Sequence, residues 1–162
     1  MKKGWEIKKL GEVCEIVKDS PPKYIGDKDY FSTGAIRNDG YDLPVKITYH
    51  NRPSRADSYP KKGDVGFAKM KFTNKVLIID SQLNGSIFST GFCFLRPKPM
   101  LNSKYLFNFI CSDYFQKLKD YFAGQGIMGG IKNSIVEEIE IPIPNLKEQE
   151  HVCCESRTDS SY

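Results

Sequence analysis

Histidine is nearly absent from this chain, with only His50 and His151 in 162 residues. Neither belongs to an His-Glu-x-x-His pair, and no Gly-x-Ser-x-Gly elbow or Walker loop occurs, so the common hydrolase and nucleotidase constellations are excluded. Gly124-Gln-Gly126-Ile-Met-Gly129 matches the spacing of a dinucleotide fingerprint. It follows a helical pattern where that site requires a strand, which removes the match. The Asn/Asp-Pro-Pro-Tyr motif of amino-methyltransferases is missing too, and Glu6, Lys8 and Asp64 are only a faint outline of a metal nuclease. Cysteine is sparse and odd in number: Cys14, Cys93, Cys111, Cys153 and Cys154 form no C-x-x-C pair, which argues against a disulfide framework and a structural zinc. Long apolar runs are also lacking. Nothing approaches the roughly 18 consecutive apolar residues of a membrane span, and the start, Met1-Lys-Lys-Gly-Trp5-Glu, has no signal-peptide core. The expectation is a cytoplasmic chain of one domain, with no cofactor, metal or membrane partner.

What is present is an uneven charge. The first 75 residues carry 16 Lys and Arg against 10 Asp and Glu, whereas residues 76–162 carry 8 against 10. The excess centres between Pro44 and Lys75, where Lys46, Arg52, Arg55, Lys61, Lys62, Lys69, Lys71 and Lys75 are opposed only by Asp57 and Asp64. Tyr49, His50, Tyr59, Phe67 and Phe72 are interleaved with them. Cations in such density suit a phosphate backbone, because binding there releases condensed counterions, and polar or aromatic neighbours can reach bases. A solvated, solubilising face is the other reading of the same charges.

Periodicity changes near residue 100. Before it, Val13–Val17 and Val45–Tyr49 alternate, and Val65–Met70, Lys75–Ile79 and Ile87–Leu95 are rich in β-branched and aromatic residues, which predicts strands. Asp19-Ser-Pro-Pro22, Asn38-Asp-Gly40, Lys62-Gly-Asp64 and Asn84-Gly85 supply turns, the last with hairpin chemistry. After it, Leu106, Ile110, Tyr114, Leu118 and Phe122 step by four, predicting one amphipathic helix over 103–122 whose stripe is core. A short helix is expected from Ser134, with Glu137 at capping-box spacing. Pro142 and Pro144 make 139–144 extended. The expected class is α+β: a mostly antiparallel, twisted or barrel-like sheet with that long helix and short ones.

The run IEIPIPNLKEQE, Ile139–Glu150, resembles the segment that closes target-recognition domains of type I restriction-modification specificity subunits. Four further segments resemble the same family in its usual order. They are Gly4-Trp5 through Leu10-Gly11-Glu12-Val13; Tyr30-Phe-Ser32-Thr33-Gly34-Ala-Ile36; Lys62-Gly63-Asp64-Val65-Gly-Phe67-Ala-Lys69 with Lys75-Val-Leu-Ile-Ile-Asp80; and Ser89-Thr-Gly91-Phe-Cys-Phe-Leu95-Arg96-Pro97 before Tyr105-Leu106. On this resemblance residues 1–150 are one target-recognition domain. Residues 151–162 have no apolar stripe and read as a disordered or aberrant tail in place of the family's spacer helix.

The resemblance implies a non-catalytic reader of double-stranded DNA that recognises one half of a bipartite target. It would direct AdoMet-dependent methylation subunits and a restriction subunit. Arg37, Lys69, Lys71 and Gln125 are the expected base-proximal residues, and Lys23, Arg52, Arg55, Lys75, Lys132 and Asn133 the expected backbone contacts. Two alternatives stand beside it: a protein-interaction module without autonomous DNA binding, and a small nuclease.

Overall fold

The computed structural model describes residues 4–124 and 130–159, with the side chains of 153–159 outside the description. In chain order its elements are β1 (Glu6–Lys9), α1 (Leu10–Val13), β2 (Cys14–Ile16), β3 (Asp27–Phe31), a 3-10 turn (Thr33–Ala35), β4 (Ile36–Arg37) and β5 (Gly40–Tyr41). Then come β6 (Val45–Thr48), β7 (Ala56–Ser58), β8 (Val65–Ala68), β9 (Val76–Ile78), β10 (Ile87–Ser89) and β11 (Phe92–Pro97). The chain closes with α2 (Ser103–Cys111), α3 (Asp113–Ala123), α4 (Asn133–Val136), β12 (Glu140–Ile143) and α5 (Leu146–Asp159). The class is α+β, as expected. Two four-stranded sheets, ordered β6-β3-β10-β7 and β2-β11-β8-β9, make the body, and β1-β12 and β4-β5 are two-stranded additions. Every pairing is antiparallel except β3 with β10.

The second sheet is sandwiched, and period-two alternation along its strands explains how. In β11, Cys93 and Leu95 face a core shared with Leu106, Ile110 and Phe115, while Phe92 and Phe94 face a second core with Phe31, Phe88 and Ile79. One strand therefore serves helices on one side and a sheet on the other. Phe67 meets Phe115 edge-on at 5.0 Å between ring centroids, and Phe31 stacks on Phe88 at 5.2 Å.

The family-like motifs are mostly structural. Leu10 and Gly11 donate backbone N–H groups to Ile139 and Glu137, joining the start of the chain to its closing segment. The Asp64 carboxylate, 1% exposed, accepts two hydrogen bonds from Arg96 at 2.9 and 2.8 Å and one from the Lys61 amide at 2.7 Å. Tyr105 donates its hydroxyl to the Pro142 carbonyl, which seats α2 against β12. Gln149, fully buried, donates to the carbonyls of Met100 and Pro144 and accepts from the Asn102 amide. It ties the last helix to the start of α2.

Four expectations need correction. The helix over 103–122 is two helices: Ser112 is extended (φ −66°, ψ 152°), its hydroxyl donating to Phe109 and accepting from the Phe115 amide. A local side-chain bond of this kind ends one helix and caps the next. The break also rotates the buried stripe, so that Phe115, Gln116, Lys119 and Ala123 face inward while Tyr114 is exposed. Next, Asn84-Gly85 is not a hairpin turn. It links β9 of one sheet to β10 of the other, in a turn capped by Asp80, whose carboxylate accepts the Leu83 amide. The Ile87–Leu95 strand divides at Thr90-Gly91, and the short helix starts at Asn133 with Lys132, not Ser134, at its N-cap. Beyond these four, α5 runs over Leu146–Asp159. Asn145 accepts the Glu148 amide and buried Gln149 anchors the first turn, so the helix is nucleated by tertiary contacts that an apolar-stripe criterion does not see.

Candidate nucleic-acid interface

Antiparallel pairing of β8 with β9 makes residues 69–75 a hairpin tip, and that tip organises the surface. Its base is tied to three other segments. The Lys69 amide donates to the Gly91 carbonyl at 3.0 Å, the Lys69 carbonyl accepts from Ile131 at 3.1 Å, and the Lys75 ammonium donates to the Thr33 carbonyl at 2.7 Å. The Ser-Thr-Gly turn, the Thr90-Gly91 turn and the segment entering α4 therefore share one face with the hairpin.

Arg55 joins them. A Cβ built on Gly91 would lie 2.7 Å from an Arg55 guanidinium nitrogen and 2.8 Å from the Thr33 methyl, so the backbone there is the floor on which both side chains rest. A polar hollow of about 220 Å³ opens beside it, lined among others by Lys18, Asp19, Asp57, Lys69, Thr90 and Asn133. Lys132 and Asn133 are exposed at its edge. The Lys71 ammonium lies against Gly124, and Gly130 forms a bridge with Met70, so both described ends of the glycine-rich segment flank the tip. Gln125 lies outside the described residues.

Of the ten residues singled out from the sequence, Arg55, Lys69, Lys71, Lys75, Lys132 and Asn133 are thus brought to one region. Three are placed differently. Arg37 lies in β4 and forms ion pairs with Asp42 and, at 3.4 Å, with Asp39. Arg52 stacks on the Tyr49 ring at 4.2 Å, donates to the Tyr49 carbonyl and lies 3.6 Å from Asp57. Lys23 is exposed on the segment before β3.

Two residues shape the tip: Phe72, one of the aromatics interleaved with the basic run, and Lys119, which the sequence shows only as part of a helical pattern. Phe72 is 80% exposed and has φ of +62°, the only positive φ outside glycine among the described residues. Lys119 of α3, fully buried, aims its ammonium into the turn from below, donating to the carbonyls of Met70 at 2.7 Å and Thr73 at 2.9 Å and pairing with Asp120 at 2.9 Å. Its three donors are all satisfied, which is what makes a buried ammonium tolerable. Asp120 accepts the Phe72 amide at 2.8 Å. Burial pushes the Asp120 carboxyl up, but the hydrogen bonds from Lys119 and from the Phe72 amide outweigh it and hold the group below the ordinary carboxylate range. A signal for Lys119 exists in the sequence: it falls midway between Phe115 and Ala123 at helical spacing, on the face that is buried.

Elsewhere two buried thiols, Cys14 and Cys93, are inert by environment. Burial pushes Cys14 and Cys93 up to about 12, far above the range in which a thiolate forms near neutrality. No group of three or more metal-ligating side chains occurs among the described residues, and none of the described helices is long and apolar enough to cross a membrane.

Comparison with known proteins bears on the fold and the family. The chain matches HsdS from Thermoanaerobacter tengcongensis with a TM-score of 0.81 and 26% identity over 98% of its length, which is 42% of that chain. A chain from a structure of complex assembly and conformational transition in the type I R-M system gives a TM-score of 0.76 at 24% identity, again over 98% of this chain and 42% of the other. The type I restriction-modification S subunit of M. genitalium gives 0.54 at 12% identity, over 93% and 37%. The chain therefore spans less than half the length of these relatives, and no match is found among curated proteins. A family model, the type I restriction modification DNA specificity domain, covers residues 2–152. With the motifs, the fold and that match in agreement, the chain belongs to the family of type I restriction modification DNA specificity domains.

Proposed function

We propose that this chain is a non-catalytic reader of duplex DNA that recognises one half of a bipartite target and directs type I methylation and restriction subunits to it. The observation that carries the reading is the gathering of Arg55, Lys69, Lys71, Lys75, Lys132 and Asn133 around one hairpin tip in a member of a DNA specificity family. Arg55, Lys71, Lys75 and Lys132 hold phosphates, which sets register without reading sequence. Lys69 and Asn133, beside the polar hollow, are within the class of side chains that read base edges in the major groove. Arg37 and Arg52, engaged with neighbouring carboxylates, add orientation at the rim, and Lys23 and Gln125 complete the contact set. AdoMet and ATP chemistry belongs to the partner subunits in this reading, and the chain works in the cytoplasm where the genome is.

The test is selection from a random duplex pool by the purified chain at about 0.1 M salt, where phosphate contacts are still felt. Enrichment of a short motif is the expected result. Binding that follows salt alone, with no enriched sequence, would refute autonomous recognition.

A second reading has one observation behind it. Ile7, Phe109, Tyr114 and Pro142 line an apolar hollow of about 450 Å³ that includes none of the residues of the basic tip. Such a patch suits a protein partner. A motif enriched only when the methylation subunit is added would favour this interaction-module reading.

A further inference from the structure

The conformation of Phe72 is difficult to account for by stability. A bulky residue at φ +62° is strained, since its Cβ crowds the backbone, and the ring gains no burial in return, being 80% exposed. The only ring contact described for it is the Lys71 ammonium at 5.0 Å. Three interactions nevertheless impose the shape: the two Lys119 bonds to Met70 and Thr73, and the Asp120 bond to the Phe72 amide. A buried cation and its carboxylate partner thus clamp the turn from the α3 side and drive an aromatic ring outward. Strain held by surrounding structure and displayed at a surface is characteristic of a contact residue.

The ring's neighbourhood indicates what it contacts. Lys69, Lys71 and Lys75 lie within three residues of it in the hairpin, Asp120 is neutralised by Lys119, and Gly124 and Gly130 keep adjacent backbone low. A cationic collar around one apolar projection matches a polyanion whose interior offers apolar surface, which is the description of a nucleic-acid duplex.

We infer that Phe72 is a specificity-determining residue: the Lys119–Asp120 clamp delivers its ring to the bases of the target as an apolar contact, while the surrounding lysines hold the phosphates. The inference rests on the DNA-reading function proposed above. The ring meets either a thymine methyl in the major groove or the face of a partly unstacked base step.

The experiment compares the intact chain with Phe72→Gly and Phe72→Asn, both of which suit a positive φ and preserve the fold. The wild-type chain first selects its motif from the random pool. Each variant is then assayed on that duplex by affinity, by salt dependence and by repeat selection. The expected result is a loss of roughly tenfold in affinity with one or two motif positions degraded and an unchanged salt slope, because a single base contact has been removed. Deoxyuracil in place of thymine at the degraded position then separates the two contacts. If it weakens the wild type and not Phe72→Gly, the ring meets the methyl group. If it is silent and 2-aminopurine there brightens only when Phe72 is present, the ring unstacks a step. Either supports the inference. An unchanged motif and affinity in both variants would overturn it while leaving the DNA-reading function intact, as would an equal loss on all sequences. Absence of any duplex binding by the wild type would overturn both.

Discussion

Strand β8 has a turn at each end, and the two are built by opposite means. Before it, Lys61–Asp64 turns on Gly63 at φ +94°, with Asp64 holding the Lys61 amide and Arg96. After it, residues 70–73 turn on Phe72 at φ +62°, held by Lys119 and Asp120 from a helix some fifty residues further along. The first places a glycine where the backbone needs one and buries its carboxylate to weld β8 to β11. The second places a large apolar residue where glycine would be easier and turns it to solvent. One turn is optimised for the fold, and the other spends stability on display.

Removing the centre of the first turn should have the largest effect. Asp64→Ala deprives Arg96 of both hydrogen bonds and the Lys61 amide of its acceptor, and should cost about 3 kcal/mol, lowering Tm by roughly 6–12 °C in a calorimetric scan. The Arg96 guanidinium, whose hydrogen bonds to Asp64 raise it above its ordinary value, would be left half-buried beside Asp19 alone. A loss confined to a few tenths of a kcal/mol would place the weld elsewhere.

Lys119→Met tests the second turn. The apolar replacement fills similar volume but leaves the Met70 and Thr73 carbonyls without their donor, at about 2 kcal/mol. Hydrogen exchange should accelerate at the amides of residues 70–74 and stay unchanged at 61–64. Uniform acceleration would mean that the two ends of β8 are not independent.

Exchanging the backbone requirement sharpens the contrast further. Gly63→Ala should destabilise by about 1–2 kcal/mol, because a Cβ is forced into a left-handed conformation. Phe72→Gly should leave stability unchanged or raise it by up to about 1 kcal/mol, since relieved strain offsets the entropy of a new glycine. Urea midpoints measure both, and a marked loss in Phe72→Gly would show that the ring supports the fold.

The smallest effect is with pH. Asp120 has its folded pKa below the unfolded one, so its contribution is complete above the ordinary carboxylate range and is lost as pH falls through the folded value. Protection of the Phe72 amide should therefore be flat from pH 7 to about 5 and decline only below about 4. Protection lost near pH 6 would point to a different acceptor.

These turns also show how far the sequence could be read. Lys62-Gly63-Asp64 announces its turn locally, because glycine and aspartate carry their conformational preferences with them. Nothing in Met70-Lys-Phe-Thr73 announces the other, whose shape depends on Lys119 and Asp120. The 103–122 helix was legible as apolar periodicity, but its division at Ser112 was not, since a serine inside a helical pattern is ordinary until its hydroxyl finds Phe109 and Phe115. The strands β3 and β7 were missed because Asp27-Lys-Asp-Tyr-Phe31 and Ala56-Asp-Ser58 show little alternation and are held by their neighbours. For the interface, the basic excess between Pro44 and Lys75 was visible as charge. Which of those cations converge, and which, like Arg52, are held by nearby groups, was a matter of distances in space.

By itself the sequence determined the class of fold, the approximate positions of several main strands and the family, because hydrophobic period, turn residues and motif order are local properties that survive without coordinates. The tertiary structure alone decided that Asp64, Arg96, Tyr105 and Gln149 are internal fastenings, and that Lys119 is buried beneath an exposed aromatic ring. The physical reason is that a polar side chain's role depends on the partners that desolvate and satisfy it, and here those partners lie about thirty to fifty residues away along the chain.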